Sequence, residues 1–390
     1  MTSPLTDNSA QPRPDHVVDE PAGLYVHIPF CISRCGYCDF NAYAGLDHLK
    51  PRYVEALMRE ADVVSTGWEG VRFASVFLGG GTPTTLDATD LAALLAHIAD
   101  RFDLQSDAEI TIEANPDTVD RGSLTAIRAA GFARLSMGAQ SFDPSVLVAL
   151  ERLHRPEAAR AALRAARAAG YDNVNLDLIY GAAGESLDSW VMTLREAISL
   201  QPEHVSAYAL TIEPATPLGR AVASGGIAAP DPDSQAEMFE MACRMLADVG
   251  YHHYEVSNWA KPGYECMHNL GYWQRRPYAG IGAGAHGFRD RRRWWNLRPP
   301  EAYMEAVESG SSPIAGEETL APSDSYLEEV FLRLRILEGI PESWAAPGSA
   351  EPLLANRLLT RLDGSLVPTE RGMLLLNQIV LELTSDRPAG

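Results

Sequence analysis

Residues 24–38 read Leu-Tyr-Val-His-Ile-Pro-Phe-Cys-Ile-Ser-Arg-Cys-Gly-Tyr-Cys: a short β-like run at 24–28, then three cysteines spaced Cys-x3-Cys-x2-Cys. Outward from it the same strand texture returns at 73–78, 109–113, 134–137, 173–177 and 205–210. Between these runs lie Ala/Leu-rich stretches of helical period at 52–64, 88–98, 123–130, 156–169, 187–199 and 234–249. Strand–helix alternation on this scale predicts an α/β fold with a parallel sheet or barrel. About six units are visible, fewer than the eight of a closed TIM barrel, so the expectation is a partial (β/α)6 TIM-like barrel.

The flanks differ in texture. Residues 1–21 hold four prolines and no periodicity, and read as a disordered tail. The barrel is expected over 22–250. Residues 251–316 are rich in aromatic residues, His, Gly and Arg with no clear helix, the last part (301–316) resembling a connector. Residues 317–390 read as a small helical C-terminal domain with a turn at 364–368.

Composition excludes several classes. The longest apolar stretch, 91–99, is half the ~18–20 residues of a membrane span, and the first twenty residues lack a secretory pattern. Both favour a cytoplasmic protein. Lys+Arg 32 against Asp+Glu 52 leaves a net charge of −20, which argues against nucleic acid as a partner. Five cysteines are too few, and odd in number, for a disulfide framework.

Cys31, Cys35 and Cys38 are therefore read as metal ligands. Thiolates suit zinc and iron–sulfur clusters. A structural zinc and an ordinary 4Fe–4S cluster each want four protein ligands. Here the run stops at three, and Asp39 and Phe40 follow. Three thiolates on a four-iron cluster leave one iron open to something other than protein. A zinc knuckle completed by Cys243 or Cys266 is the plainer alternative, although Cys243 sits in the apolar pattern of a helix.

In a parallel α/β barrel, ligands gather where strands end. The second run leads into Gly79-Gly80-Gly81-Thr82-Pro83-Thr84, where a tight turn needs about one glycine. The third ends in Glu113-Ala114-Asn115-Pro116, and a carboxylate there can receive an ammonium or ribose hydroxyls. The fourth leads into Gly138-Ala139-Gln140-Ser141, and the fifth carries Asp177. Singly, each polar residue reads as a helix cap or surface group; together, after a cysteine triplet, they read as a site.

The triplet resembles the signature of the radical S-adenosylmethionine (radical SAM) superfamily. Tyr25–Cys31, the Gly-Gly-Gly-Thr-Pro-Thr run, Ile112–Pro116, Gln140-Ser141-Phe142 and the segment from Thr369 to Asn377 resemble its coproporphyrinogen-dehydrogenase-like branch, over roughly 22–383. The resemblance implies a 4Fe–4S cluster on Cys31, Cys35 and Cys38. Its open iron would chelate S-adenosylmethionine, cleaved by one electron from the cluster to methionine and a 5′-deoxyadenosyl radical. By motif, Tyr25, Gly80, Gly81, Thr82, Glu113, Gln140, Arg152 and Asp177 would contact S-adenosylmethionine, with Tyr37 doing so through its backbone. On sequence alone Arg152 is an ordinary helix-end cation.

Two features select within the branch. The anaerobic coproporphyrinogen oxidases extend the triplet with a further Cys where this chain has Phe40. His268-Asn269-Leu270-Gly271-Tyr272-Trp273 fits the HNxxYW motif of the HemW haem chaperones. The resemblance thus implies haem as cargo, with His268, Tyr272 and Trp273 in contact with it. The further partners implied are apo-haemoproteins such as respiratory enzymes and an electron donor, with the oligomeric state open. Histidine is a common axial ligand, aromatic rings cover a porphyrin face, and Arg289, Arg291, Arg292 and Arg293 suit propionates. The plainer alternative is a hydrogen-bonded His268 in an aromatic core, with the arginines on a solvated loop. A coproporphyrinogen III decarboxylase, a radical methyltransferase and a zinc-stapled binding module are the competing functions.

Overall fold

The computed structural model describes residues 20–385. Almost all of the tail expected at 1–21 therefore lies outside the described residues. Six strands lie side by side in chain order, all parallel: β1 (Ala22–Ile28), β2 (Arg72–Gly80), β3 (Asp103–Ala114), β4 (Arg134–Gln140), β5 (Val174–Tyr180) and β6 (His204–Ala209). Helices α1 (Lys50–Ser65), α2 (Ala88–Arg101), α3 (Arg121–Ala129), α4 (Pro156–Ala168), α5 (Leu187–Ser199) and α6 (Pro232–Ala247) occupy the helical stretches read from the sequence.

The period of two along each strand sorts the side chains between the faces. Leu24, Val26 and Ile28 of β1 join one apolar core with Val76, Leu78, Ile112, Leu135, Met137, Leu176, Leu178 and Val205. That layer packs beneath α1 to α6, whose buried positions recur at helical spacing, as Tyr53, Val54, Leu57 and Ala61 do in α1. Burial of each large side chain contributes roughly 1.5–3 kcal/mol. The alternate positions are polar or aromatic and face a common interior: Tyr25, Phe77, Glu113, Ser136, Asp177 and Tyr208 line one small internal cavity of about 150 Å³. The pleat thus directs site residues inward while their neighbours build the core.

Past residue 250 the structure differs from the expectation. β7 (His252–Glu255) and β8 (Asn258–Ala260) extend the sheet beyond β6 in antiparallel fashion. A helix, α7 (Met267–Trp273), follows where none was expected. β9 (Tyr278–Ile281) then returns to pair parallel with β1 on its other edge. β10 (His286–Arg289) and β11 (Arg292–Asn296) continue outward, then, after α8 (Pro300–Glu308), β12 (Ile314–Thr319), giving a twelve-stranded sheet. The connector at 301–316 is thus mostly helix and strand, and residue 316 falls inside β12. These strands are short and carry glycine and arginine, so their alternation is too brief to read.

The C-terminal region combines α9 (Pro322–Arg333) and α10 (Leu376–Thr384) with a small antiparallel sheet of β13 (Ile340–Pro341), β14 (Leu359–Leu362) and β15 (Ser365–Pro368). The expected turn at 364–368 is a two-residue hairpin at Asp363-Gly364, both at positive φ (49° and 82°), with residues 365–368 in the returning strand. No helix of the described residues is long and apolar enough to cross a membrane.

Candidate functional site

The cysteine loop leaves β1 through Pro29, and Phe30–Cys31 pairs in parallel with Tyr43–Ala44, which holds the base of the loop. The Cys38 amide donates to the Cys35 carbonyl at 3.2 Å, turning Cys35 and Cys38 toward one side. All three thiols are free and half-buried, and burial raises the pKa of Cys31 and Cys38. Among the described residues no three His, Cys, Asp or Glu side chains converge on a single-ion site. A four-iron cluster places its thiolates on separate irons, so it needs ligands around a wider space.

A cavity of about 410 Å³ opens at the C-terminal ends of the parallel strands. It is lined by all three cysteines and by Tyr37, Gly80, Gly81, Thr82, Glu113, Gln140, Arg152 and Asp177. The Cys31 thiol lies 3.6 Å from the Thr82 hydroxyl. Gly80 has φ +115°, and a Cβ there would stand 2.4 Å from the His27 ring; one on Gly81 would stand 2.7 Å from the Phe30 carbonyl oxygen. A Cβ on Gly79 would stand 2.9 Å from the Phe77 ring, so all three glycines have close neighbours, more than an ordinary turn needs. Gln140 ends β4 just past a register shift, at φ +63°, a conformation uncommon for a residue with a side chain.

Arg152 is not the solvent-facing cation its sequence context suggested. It follows the short helix Pro144–Ala149 and turns back into the cavity. Its guanidinium donates to Cys35 Sγ at 3.5 Å, Asn115 Oδ1 at 2.6 Å and the Gly138 carbonyl at 3.1 Å, while its buried Nε has no partner. Asn115 in turn donates to Thr82 Oγ1 at 3.0 Å. A chain of hydrogen bonds thus joins the cysteine loop to the ends of β2, β3 and β4. Asn115 is a site residue that the reading of the strand end passed over; its position just before a proline at a strand end was the available signal.

Two carboxylates sit deeper. Glu113 accepts the Gly80 amide at 3.1 Å, and burial first, then the charge of Asp177, pushes its pKa up to about 8. Asp177 accepts from Ser136 at 3.1 Å and Asn175 at 2.8 Å, and burial raises its pKa too. A positive or hydroxyl-bearing ligand in the cavity would meet both carboxylates. Tyr25 stands apart from the other expected residues. Its hydroxyl meets His27 Nδ1 at 3.0 Å, and it lines a second, larger cavity of about 730 Å³ that shares Gly80 and Glu113 with the first.

The HNxxYW residues do not form one surface. His268 is 4% exposed, with Nδ1 2.8 Å from Ser75 Oγ and Nε2 2.9 Å from Tyr272 Oη. Burial drives its pKa down to about 3. Tyr272 faces the larger cavity, whereas Trp273 lies beneath the Arg335 guanidinium, 5.7 Å from ring centre to carbon. The arginines expected at propionates are engaged elsewhere: Arg292 with Glu317, Arg293 with Glu318 and Glu328, and Arg289 with the Gly67 carbonyl and the Trp68 ring. Cross-strand carboxylates on β12, absent from the local motif, satisfy Arg292 and Arg293.

Residues 25–197 match the family described as the radical SAM superfamily. The chain is 43% identical over 370 residues to the haem chaperone HemW of Mycobacterium tuberculosis, covering 93% of this chain and 95% of that protein. It is 37% identical over 377 residues to HemW of Escherichia coli, covering 92% and 97%. Among solved structures it is similar to the coproporphyrinogen III oxidase HemN of Escherichia coli, a radical SAM enzyme, with a TM-score of 0.80, 25% identity and coverage of 94% and 90%. With relatives of this identity over nearly its whole length, and a barrel whose strand ends surround a three-cysteine loop, the chain belongs to the HemW haem-chaperone family of the radical SAM superfamily.

Proposed function

We propose that this protein is a cytoplasmic haem chaperone that binds haem and delivers it to apo-haemoproteins, respiratory enzymes among them, and that carries a 4Fe–4S cluster and S-adenosylmethionine in the cysteine cavity. The observation that carries the choice over porphyrinogen decarboxylation is Phe40. This side chain is 65% exposed and lines both cavities, where the decarboxylating branch has a further cysteine.

The residues of the cysteine cavity fit the proposed groups. Cys31, Cys35 and Cys38 would hold the cluster, and Arg152 places a fixed positive charge against the Cys35 thiolate. When bound, a cluster with one iron not held by protein supplies a chelation site for the amino and carboxylate groups of S-adenosylmethionine and a source of one electron. Glu113 and Asp177 are placed to receive an ammonium or hydroxyls. The Gly80 and Gly81 backbone allows close approach, and Tyr37 closes the rim. The electron would come from a separate donor protein, and nucleic acid is not among the partners.

The test is an anaerobic titration of haem into the reconstituted protein, followed by absorbance, then mixing with an apo-haemoprotein. The expected result is saturable binding and transfer, with no carbon dioxide released from coproporphyrinogen III. Absence of haem binding, or turnover of the porphyrinogen, overturns the proposal.

A further inference from the structure

We propose that Asn115 is a positioning residue for the cluster ligands: it aims the Thr82 hydroxyl at Cys31 and the Arg152 guanidinium at Cys35, and so raises the reduction potential of a cluster held by those thiolates. The inference rests on the cluster reading above and deepens it by naming what tunes that site. It starts from a run of contacts between two sulfurs. Asn115 Nδ2 donates to Thr82 Oγ1 at 3.0 Å, and Thr82 Oγ1 lies 3.6 Å from Cys31 Sγ. Asn115 Oδ1 accepts from Arg152 Nη2 at 2.6 Å, and Arg152 Nη1 donates to Cys35 Sγ at 3.5 Å. One amide side chain thus stands between the groups that face two of the three sulfurs.

The supply of protons fixes the direction of each bond. A guanidinium can only donate, so the Asn115 atom facing Arg152 is its oxygen, which leaves the nitrogen facing Thr82. That nitrogen gives a proton to the Thr82 oxygen, and the hydroxyl's own proton stays free. A sulfur bound to metal is a thiolate with no proton to give. The Thr82 proton therefore points at Cys31, as an Arg152 N–H points at Cys35.

Asn115 is held in place for this task. Pro116 confines it to an extended backbone, found at φ −96° and ψ 146°. Its carbonyl accepts from the Thr118 amide at 3.0 Å and the Thr118 hydroxyl at 2.8 Å. Gly138 leaves the pair room, since a Cβ there would stand 3.2 Å from Asn115 Oδ1 and 3.5 Å from Arg152 Nη2. Thr82 is buried, and its amide is tied at 2.8 Å to the carbonyl of Phe30, the residue before Cys31.

The step affected is the entry of one electron from a reductant, with no bond made or broken in the protein. The added charge spreads onto the sulfurs. Donors and a cation aimed at them stabilise the reduced state more than the oxidised one, which raises the potential. Asn115 touches no sulfur and acts through Thr82 and Arg152.

The experiment is an anaerobic redox titration of the reconstituted full chain without S-adenosylmethionine, with dithionite as reductant and the reduced cluster read by electron paramagnetic resonance. Wild type is compared with Asn115→Ala, Thr82→Val and the double variant, at equal iron and sulfide content and with fold checked by circular dichroism. In Asn115→Ala the ratio of reduced to oxidised cluster at the wild-type midpoint is expected to fall about tenfold, equivalent to about 59 mV for one electron. Thr82→Val should shift the midpoint the same way by less. The double variant should fall short of the sum, because Asn115 acts in part through Thr82. Should Asn115→Ala not take up the cluster, Asn115→Leu, closer in shape to asparagine, replaces it with the same expectation. An unchanged midpoint in a fully loaded Asn115 variant, or in Thr82→Val, overturns the proposal and leaves the cluster reading standing. So does a double variant whose shift equals the sum. If the wild-type protein takes up no iron and sulfide, the cluster reading falls and the proposal with it.

Discussion

The two cavities meet at Gly80 and Glu113 but are built in different ways. The cysteine cavity is enclosed by the ends of successive parallel strands, whose backbones, small residues and polar side chains are tied to one another through Arg152, Asn115 and Thr82. The larger cavity has β1 on one side and β9 to β11 on the other, and its lining mixes the rings of Tyr25, Tyr272, Tyr278 and Trp295 with hydrogen-bonded polar groups, His27 meeting both Tyr25 and the Asn41 carbonyl. The first is organised around a fixed charge pattern. The second is wider and is lined by rings together with His27, His286 and Arg298.

The largest effect is expected at the thiols. Cys38→Ala, reconstituted anaerobically, is expected to lose the visible absorption of the cluster entirely while keeping its secondary structure. A variant with a full complement of iron and sulfide would show that the first cavity is not a cluster site. A smaller effect is expected of Gly80→Val. The branched side chain would meet the His27 ring and force β-branched geometry onto φ +115°. S-adenosylmethionine binding measured by calorimetry should weaken about tenfold or more, equivalent to at least ~1.4 kcal/mol; unchanged affinity would free this wall from any role in the first cavity.

The smallest effect is expected from pH. Burial holds the pKa of Glu113 at about 8 and those of Glu60, Glu185 and Glu255 at about 7, all above the ordinary value of 4.5. The folded state therefore keeps protons that the unfolded chain has released, and stability falls as pH rises through 7 and 8. Histidines oppose this only up to about pH 7.5, above which the unfolded chain's imidazoles are largely neutral. The melting temperature of the ligand-free protein should drop between pH 7.5 and 8.5, and Glu113→Gln should flatten that drop. A melting temperature that rises over this window would contradict the burial of these carboxylates.

The barrel half of the chain was legible because each strand and helix spans enough residues to show its period, and because strand ends in a parallel sheet have one place to be. Helix α5 falls on the stretch read from the sequence, and the other five lie within a few residues of theirs. Strand β3 was longer than expected, since the exposed charges of its first half obscure the alternation. What did not carry over was orientation. Tyr272 and Trp273 are adjacent in sequence, but on a helix adjacent side chains diverge by about 100°, so the motif splits between a cavity and a contact with Arg335. Arg152 erred in the other direction, because its partners, Cys35 and Asn115, lie 117 and 37 residues away.

β1 has β2 on one edge of the sheet but β9 on the other, where Tyr25 lies opposite Gly280, 280 − 25 = 255 residues later. At a synthesis rate of about 5–20 residues per second, that partner emerges roughly 13–50 s after the first strand. The nascent chain thus displays its cysteine loop on a strand paired along one side only, and the wall that carries His286 is added last. The cysteine loop therefore emerges well before the strands that complete the larger cavity, so a stalled or truncated chain would offer three thiols beside an unfinished wall.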